Sequence, residues 1–236
     1  MYRFRFFRAV DDPVACDRFK EGHRKILVDY GITNVTTNTE DWQNDPDVFV
    51  ITAETECGEM VGGIRLDRTS SALKSLPIQS ALNKLDPEID GLVRSDSARG
   101  TAEVCGLWNA KKVFGKGVSP LLARAAVAYA AFIEIDTLYC LVAQYTLDLA
   151  KSIGFSVLEE IGNQGTFKYP NDRFVASALR IVDLEELKTA IPSERRRIFS
   201  IRRNPSQEFI ELSQKKNVAV AYQNDVNIVL GKANEQ

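Results

Sequence analysis

Polar and apolar positions alternate in part over Tyr2–Val10, which reads as a first strand. Asp12 then Pro13 supplies an N-cap and a proline for the first helical position. Behind them Phe19, His23, Ile26, Leu27 and Tyr30 recur at helical spacing until Gly31 stops the helix. The run ITNVTTNTEDWQNDPD (32–47) is polar and turn-rich and predicts a loop. VFVITAE (48–54) and EMVGGIRLD (59–67), separated by a turn containing Gly58, predict a hairpin. Residues 68–100 are the least periodic; a short helix around Ser75–Leu85 and a loop over Asp86–Gly100 fit them best.

Downstream the pattern sharpens. TAEVCGLW (101–108) predicts a strand, Ser119 to Glu134 a helix, and TLYCLVA (137–143) a short apolar strand. YTLDLAKSIGF (145–155) predicts a second helix ending at Gly154, and SVLEEIG (156–162) and RFVASALRIV (173–182) two further strands. That order implies an α/β (α+β) fold, a mixed sheet with parallel neighbours and flanking helices. Asp183 with Glu186 suggests a capping box for a helix over DLEELKTAI. Pro192 then marks a break, dividing a domain over 1–191 from a charged C-terminal extension over 192–236 that carries ERRRIFSIRR.

Composition narrows the function classes. With 236 residues, 44% hydrophobic and 26% charged, the chain reads as one ordinary globular domain with an appendage. A net charge of -2 gives no global field for nucleic acid. Cys16, Cys57, Cys105 and Cys140 are widely spaced and His23 is the only histidine, which argues against a metal site or a disulfide framework and fits a reducing, cytoplasmic setting. MYRFRFFRAV lacks an apolar signal core, and LLARAAVAYAAFIEI is too short and too charged to span a bilayer.

One stretch, KKVFGKGVSP (111–120), carries chemistry. Gly115 and Gly117 allow a ligand to approach bare backbone before a helix, whose N-terminal amides and dipole favour an anion. Lys111, Lys112 and Lys116 add positive charge there. Alternatively, the glycines only turn the chain and the lysines keep it soluble. The spacing is neither a P-loop nor a full dinucleotide fingerprint.

A strand, a basic residue before Gly-x-Gly, a helix, an apolar strand and a helix ending in Gly154–Phe155 together resemble the GNAT acyltransferase superfamily. More narrowly, Arg24, a polar loop with Trp42 and Asp45 or Asp47, GGIRL (62–66) and AEVCGLW (102–108) are similar to the acyl-homoserine-lactone synthases and the long-chain N-acyl amino acid synthases. The resemblance implies an N-acyltransferase taking an acyl group from acyl carrier protein phosphopantetheine or acyl-CoA to the amine of a small amino-acid-like acceptor. It implies Glu103 as base and Arg65 as its orienter or as a ligand for an acceptor carboxylate. Backbone at Leu107 and Trp108 and the loop Lys112, Val113, Gly115, Lys116, Gly117 and Val118 would hold the donor, and Arg24, Trp42 and Tyr145 would border the acceptor. Gly106 stands where the lactone synthases carry arginine, and Ala150 where many GNAT enzymes carry a tyrosine acid. A non-catalytic binding module and an acetyl-CoA-dependent N-acetyltransferase are the competing implications.

For several of these residues a plainer reading exists. Glu103 could be a salt-bridged strand end, and Arg65 a structural ion pair. Cys105 reads as a small core residue, since no histidine lies within a few positions. The cluster Arg195, Arg196, Arg197, Arg202 and Arg203 is a solvated face or a docking patch for an acidic carrier protein.

Overall fold

The computed structural model describes residues 1–32, 41–69, 74–213 and 216–226. In chain order, β1 (Tyr2–Arg8) leads to α1 (Pro13–Asp29) and the hairpin β2 (Val48–Thr55) and β3 (Met60–Thr69). Helices α2 (Pro77–Leu82) and α3 (Glu88–Ser97) precede β4 (Thr101–Asn109), α4 (Val118–Ala130), β5 (Thr137–Ala143) and α5 (Leu147–Ser152). Then come β6 (Ser156–Val157), β7 (Thr166–Lys168), β8 (Val175–Ile181), α6 (Pro192–Arg203), β9 (Gln207–Ser213) and β10 (Lys216–Asn224). All strands join one mixed sheet, ordered β6-β8-β5-β4-β3-β2-β1-β10-β9 with β7 also on β8.

Two adjacent glycines identify the faces of this sheet. A Cβ on Gly63 would meet Phe19 of α1 at 2.5 Å, and one on Gly62 would meet Leu122 of α4 at 3.1 Å. Successive strand residues point to opposite faces, so α1 covers one side and α4 the other. Helices α2 and α3 share the α1 face, packing Leu76, Ile78, Leu82, Ile89 and Val93 over Tyr139 and Ala178. On the opposite face α4 and α5 pack with Ile198 and Ile201 of α6.

Strands β4 and β5 run parallel for only three register pairs, Thr101–Thr137, Ala102–Leu138 and Glu103–Tyr139. Beyond Glu103 they part. Within β4 the pairing to β3 steps from Arg65–Cys105 to Gly63–Trp108, so β4 spends one residue more than its partner. That bulge falls at Gly106, whose φ of 62° suits glycine. It also returns Trp108 to the α1 face, where its ring lies against Gly22 of α1.

Three sequence expectations are corrected. Residues 86–100 are not a loop but contain α3, an amphipathic helix burying Ile89 and Val93. The strand expected over 156–162 shortens to Ser156–Val157. Residues 183–191 form turns rather than a helix, because Leu187 adopts a φ of 49°. Their backbone also bonds elsewhere, Leu184 N–H to Asp136 O at 3.0 Å and Ile191 N–H to Ser152 O at 3.0 Å. In the polar loop over 32–47, Trp42–Asn44 form a single 3-10 turn, while 33–40 lie outside the described residues. From Pro192 onward the chain packs α6 into the core beside α4 and adds the β9–β10 hairpin to the sheet. A buried network ties them in: Arg124 donates to Glu194 at 2.6 Å and to Glu211 at 2.8 Å, and Arg197 to Glu211 at 2.7 Å. Among the described residues no helix is long and apolar enough to cross a membrane.

Candidate active site

Where β4 and β5 part, a cavity of about 280 Å³ opens, walled from both faces of the sheet. His23 and Ile26 of α1 and Ile78 of α2 contribute from one face, and Ala123 of α4, Ala150 of α5 and Ile153 just after α5 from the other. Glu103, Cys105, Gly106 and Leu107 form the β4 wall, opposite Cys140 to Ala143 of β5.

Among the described residues Glu103 is the one carboxylate in this lining. It is 2% exposed, and Ile78 donates its backbone N–H to Oε2 at 2.5 Å. Burial pushes the Glu103 carboxyl well above the usual carboxylate range; the Ile78 N–H and the Arg65 charge pull the other way, and Asp67 adds to the rise. Register explains the last effect, since Asp67 of β3 lies directly opposite Glu103 and Arg65 directly opposite Cys105. The four side chains therefore share the α1 face.

Arg65 is fully buried and grips Asp67 with both prongs, Nε to Oδ1 at 2.7 Å and Nη2 to Oδ2 at 2.8 Å. Its guanidinium lies over the Trp42 ring, 4.5 Å from the centroid. Burial, then the charge of Arg65, lowers the His23 pKa to about 4, so its imidazole is neutral at pH 7. Burial holds the Cys105 thiol protonated.

Of the residues chosen from the sequence, the cavity brings together Glu103, Leu107 and Tyr145, the last 86% exposed. Arg65 stands behind the lining, turned to Asp67, and Trp42 is buried beneath it. Arg24 does not reach the cavity: it is exposed and pairs with Glu21 one turn back on α1. Trp108 contributes its side chain to the core against Gly22.

The glycine loop enters α4 with Gly115 and Gly117 at φ 69° and 81°, Gly117 forming the N-cap. Cavity-lining Ala123 lies five residues into α4 from Val118, about 7.5 Å along its axis. Val113 and Val118 are buried, and Lys116 is exposed. Lys112 is ion-paired with Glu59, and Lys111 with Asp29 at 3.0 Å. The α6 cluster is largely spent inside the molecule. Arg197 holds Glu211, Arg195 donates to Glu186 O, and Arg202 donates to Glu185 O and Val127 O.

No family model and no curated protein sequence matches the chain. Solved structures do. FeeM, an N-acyl amino acid synthase from uncultured soil microbes, has a TM-score of 0.62 at 16% identity, covering 83% of this chain and 97% of that one. The CoA-dependent acyl-homoserine lactone synthase BjaI, with SAM and isopentyl-CoA, has a TM-score of 0.54 at 15% identity over 84% and 90% of the two chains. Arabidopsis thaliana NAA60 in complex with acetyl-CoA has 0.51 at 17% identity over 76% and 97%. The chain has a GNAT-like fold.

In that GNAT-like frame the sequence missed Asp67, the Ile78 amide and the place of His23 in the cavity wall. The first was within reach: in R-L-D on a strand, Arg65 and Asp67 two apart share a face. The Ile78 amide was not, because it depends on the approach of α2 to β4.

Proposed function

We propose that the protein is an N-acyltransferase that moves a medium or long acyl group from a thioester to the amine of a small acceptor. The observation that carries this reading is a buried Glu103, its carboxyl pushed above the usual carboxylate range, inside an apolar cavity at the parting of β4 and β5. The amine nitrogen attacks the thioester carbonyl carbon, the C–N bond forms, and the C–S bond breaks. Glu103 takes the proton the amine sheds, directly or through a water, and the thiolate departs to be protonated by solvent. The residue that the Gly106 bulge leaves outside the regular ladder brings backbone amides near Leu107 to the developing oxyanion.

The donor is a coenzyme A or acyl carrier protein thioester, its arm lying along the Gly115–Gly117 loop at the positive end of α4. Coenzyme A thioesters are the first donors to try, because BjaI is described with isopentyl-CoA and NAA60 with acetyl-CoA. A carrier protein has only Arg196 and Arg203 of the α6 cluster without a described internal partner.

The test is to incubate the protein with decanoyl-CoA and a panel of small amines, following free thiol and the mass of the product. Amine-dependent thiol release with a matching N-acyl product supports the reading. Saturable donor binding without release, whatever amine is present, identifies a binding module instead.

A further inference from the structure

We infer that the acceptor is a primary amine carrying an apolar or aromatic group and no carboxylate. This inference rests on the N-acyltransferase reading and goes further, by naming the class of amine. A base must stand within about 3 Å of the proton it removes, so the acceptor nitrogen lies beside Glu103, inside the cavity. In an α-amino acid the carboxylate sits on the carbon that bears the nitrogen, so it would enter the same buried space. A buried carboxylate without a cation or hydrogen-bond donors is strongly disfavoured.

The lining offers it no cation among the described residues; its side-chain donors are the neutral His23 N–H and the hydroxyls of Tyr30, Tyr145, Thr146 and Tyr169. Among the described residues the cavity wall contains no lysine and no arginine. Its histidine, His23, is neutral at pH 7. Arg65, the nearest buried cation in the register, has its fork committed to Asp67 and its face to Trp42. Two undescribed stretches adjoin the wall in sequence: 33–40 follows Ile32, and 70–73 precedes the segment leading to Pro77. They read TNVTTNTE and SSAL and hold no basic residue wherever they lie.

Charge near Glu103 points the same way. Asp67 lies directly opposite it, so an acceptor carboxylate would be a third acid in one buried group. A cationic ammonium, in contrast, favours ionised Glu103; it loses one proton to solvent before attack, and Glu103 takes the second as the C–N bond forms. The rest of the acceptor meets Ile26, Leu27, Tyr30, Ala81, Tyr169 and Phe174, a wall for an aliphatic or aromatic tail.

The inference is tested with matched acceptors: tyramine, tyrosine and tyrosine methyl ester; phenethylamine, phenylalanine and its methyl ester; isoamylamine, leucine and its methyl ester. Each is assayed with decanoyl-CoA for thiol release. The amines and esters should be turned over, with the free amino acids lower in kcat/KM by at least about 100-fold. Amino acids that match or exceed their amines would overturn the inference while leaving the acyltransferase reading intact. Rejection of the esters along with the acids would overturn it too, because bulk rather than charge would then be what the cavity excludes. Absence of thiol release with every acceptor, amino acids included, would instead remove the acyltransferase reading on which the inference stands.

Discussion

Replacing Asp67 with alanine isolates the buried ion pair behind the candidate site. In the native chain the Arg65 and Asp67 side chains are 2% and 8% exposed and share two short, charge-assisted hydrogen bonds. Removing the carboxylate strands a guanidinium inside the sheet layer, which costs about 3–5 kcal/mol for a broken buried pair. Set against a typical total of roughly 5–15 kcal/mol, that is a large fraction of the fold's stability. Adding Arg65→Met to Asp67→Ala removes the stranded charge and should restore most of the loss, since the two residues act as one unit. Urea unfolding followed by tryptophan fluorescence suits the measurement, because Trp42 lies under the guanidinium and Trp108 is also in the core. A loss under about 1 kcal/mol, or a double variant no more stable than Asp67→Ala, would refute the claim that Arg65 is held by Asp67.

Four further expectations follow from the same geometry. Because the folded-state pKa of His23 is depressed to about 4, its contribution is present above pH 6.5 and lost as pH falls through 4. His23→Gln should flatten that acid loss by up to about 3 kcal/mol, read from urea midpoints at pH 7 and pH 4, and equal acid sensitivity in both proteins would contradict it. Gly22→Ala should lower the melting temperature despite alanine's better helix propensity, because a Cβ there meets the buried Trp108 ring at 2.1 Å; a rise would contradict it. Gly117→Val places a β-branched residue at φ 81° and should raise the KM for decanoyl-CoA at least tenfold if the loop's amides hold the donor. Lys112→Ala, which removes an exposed ion pair with Glu59, should change stability by less than about 1 kcal/mol. Unchanged donor affinity in both variants would make the loop a turn.

The legible parts of the chain were those whose fate is settled locally. Apart from Ser119 and Arg124 the α4 run is apolar, and it is buried from Leu121 to Ala130, so its apolar pattern and its role agree. β4, the glycine loop and the Gly154–Phe155 terminus likewise carry their signals within a few residues. The illegible parts depend on distant partners. Glu211 looks like a solvent-facing residue in a charged tail, yet it is 1% exposed because Arg124, Arg197 and Tyr222 surround it. Residues 183–191 have helical spacing, but Leu184 and Leu187 are drawn into the core and the backbone bonds to residues before α5 and at its end. α3 hid because only Ile89 and Val93 of its apolar residues are buried, and because Asp96, which reads as a solvent-facing acid, is buried by its bonds from Tyr139 and Arg180. At the site itself, Glu103 and the cavity-wall Leu107 could be chosen from the chain, whereas the hydrogen bond from Ile78 and the apolar lining, cation-free among the described residues, required the assembled sheet.

The central claim is that Glu103 is the base of an acyl transfer, and the direct measurement is amine-dependent thiol release by Glu103→Gln beside the native protein across pH. Glutamine keeps the shape and the Ile78 hydrogen bond, so unfolding should change little. The native rate should climb with pH through a Glu103 ionisation raised above the ordinary carboxylate range. The variant should lose about 100-fold or more and lack that limb. A folded Glu103→Gln protein that releases thiol at the native rate, with the same pH profile, would contradict the account.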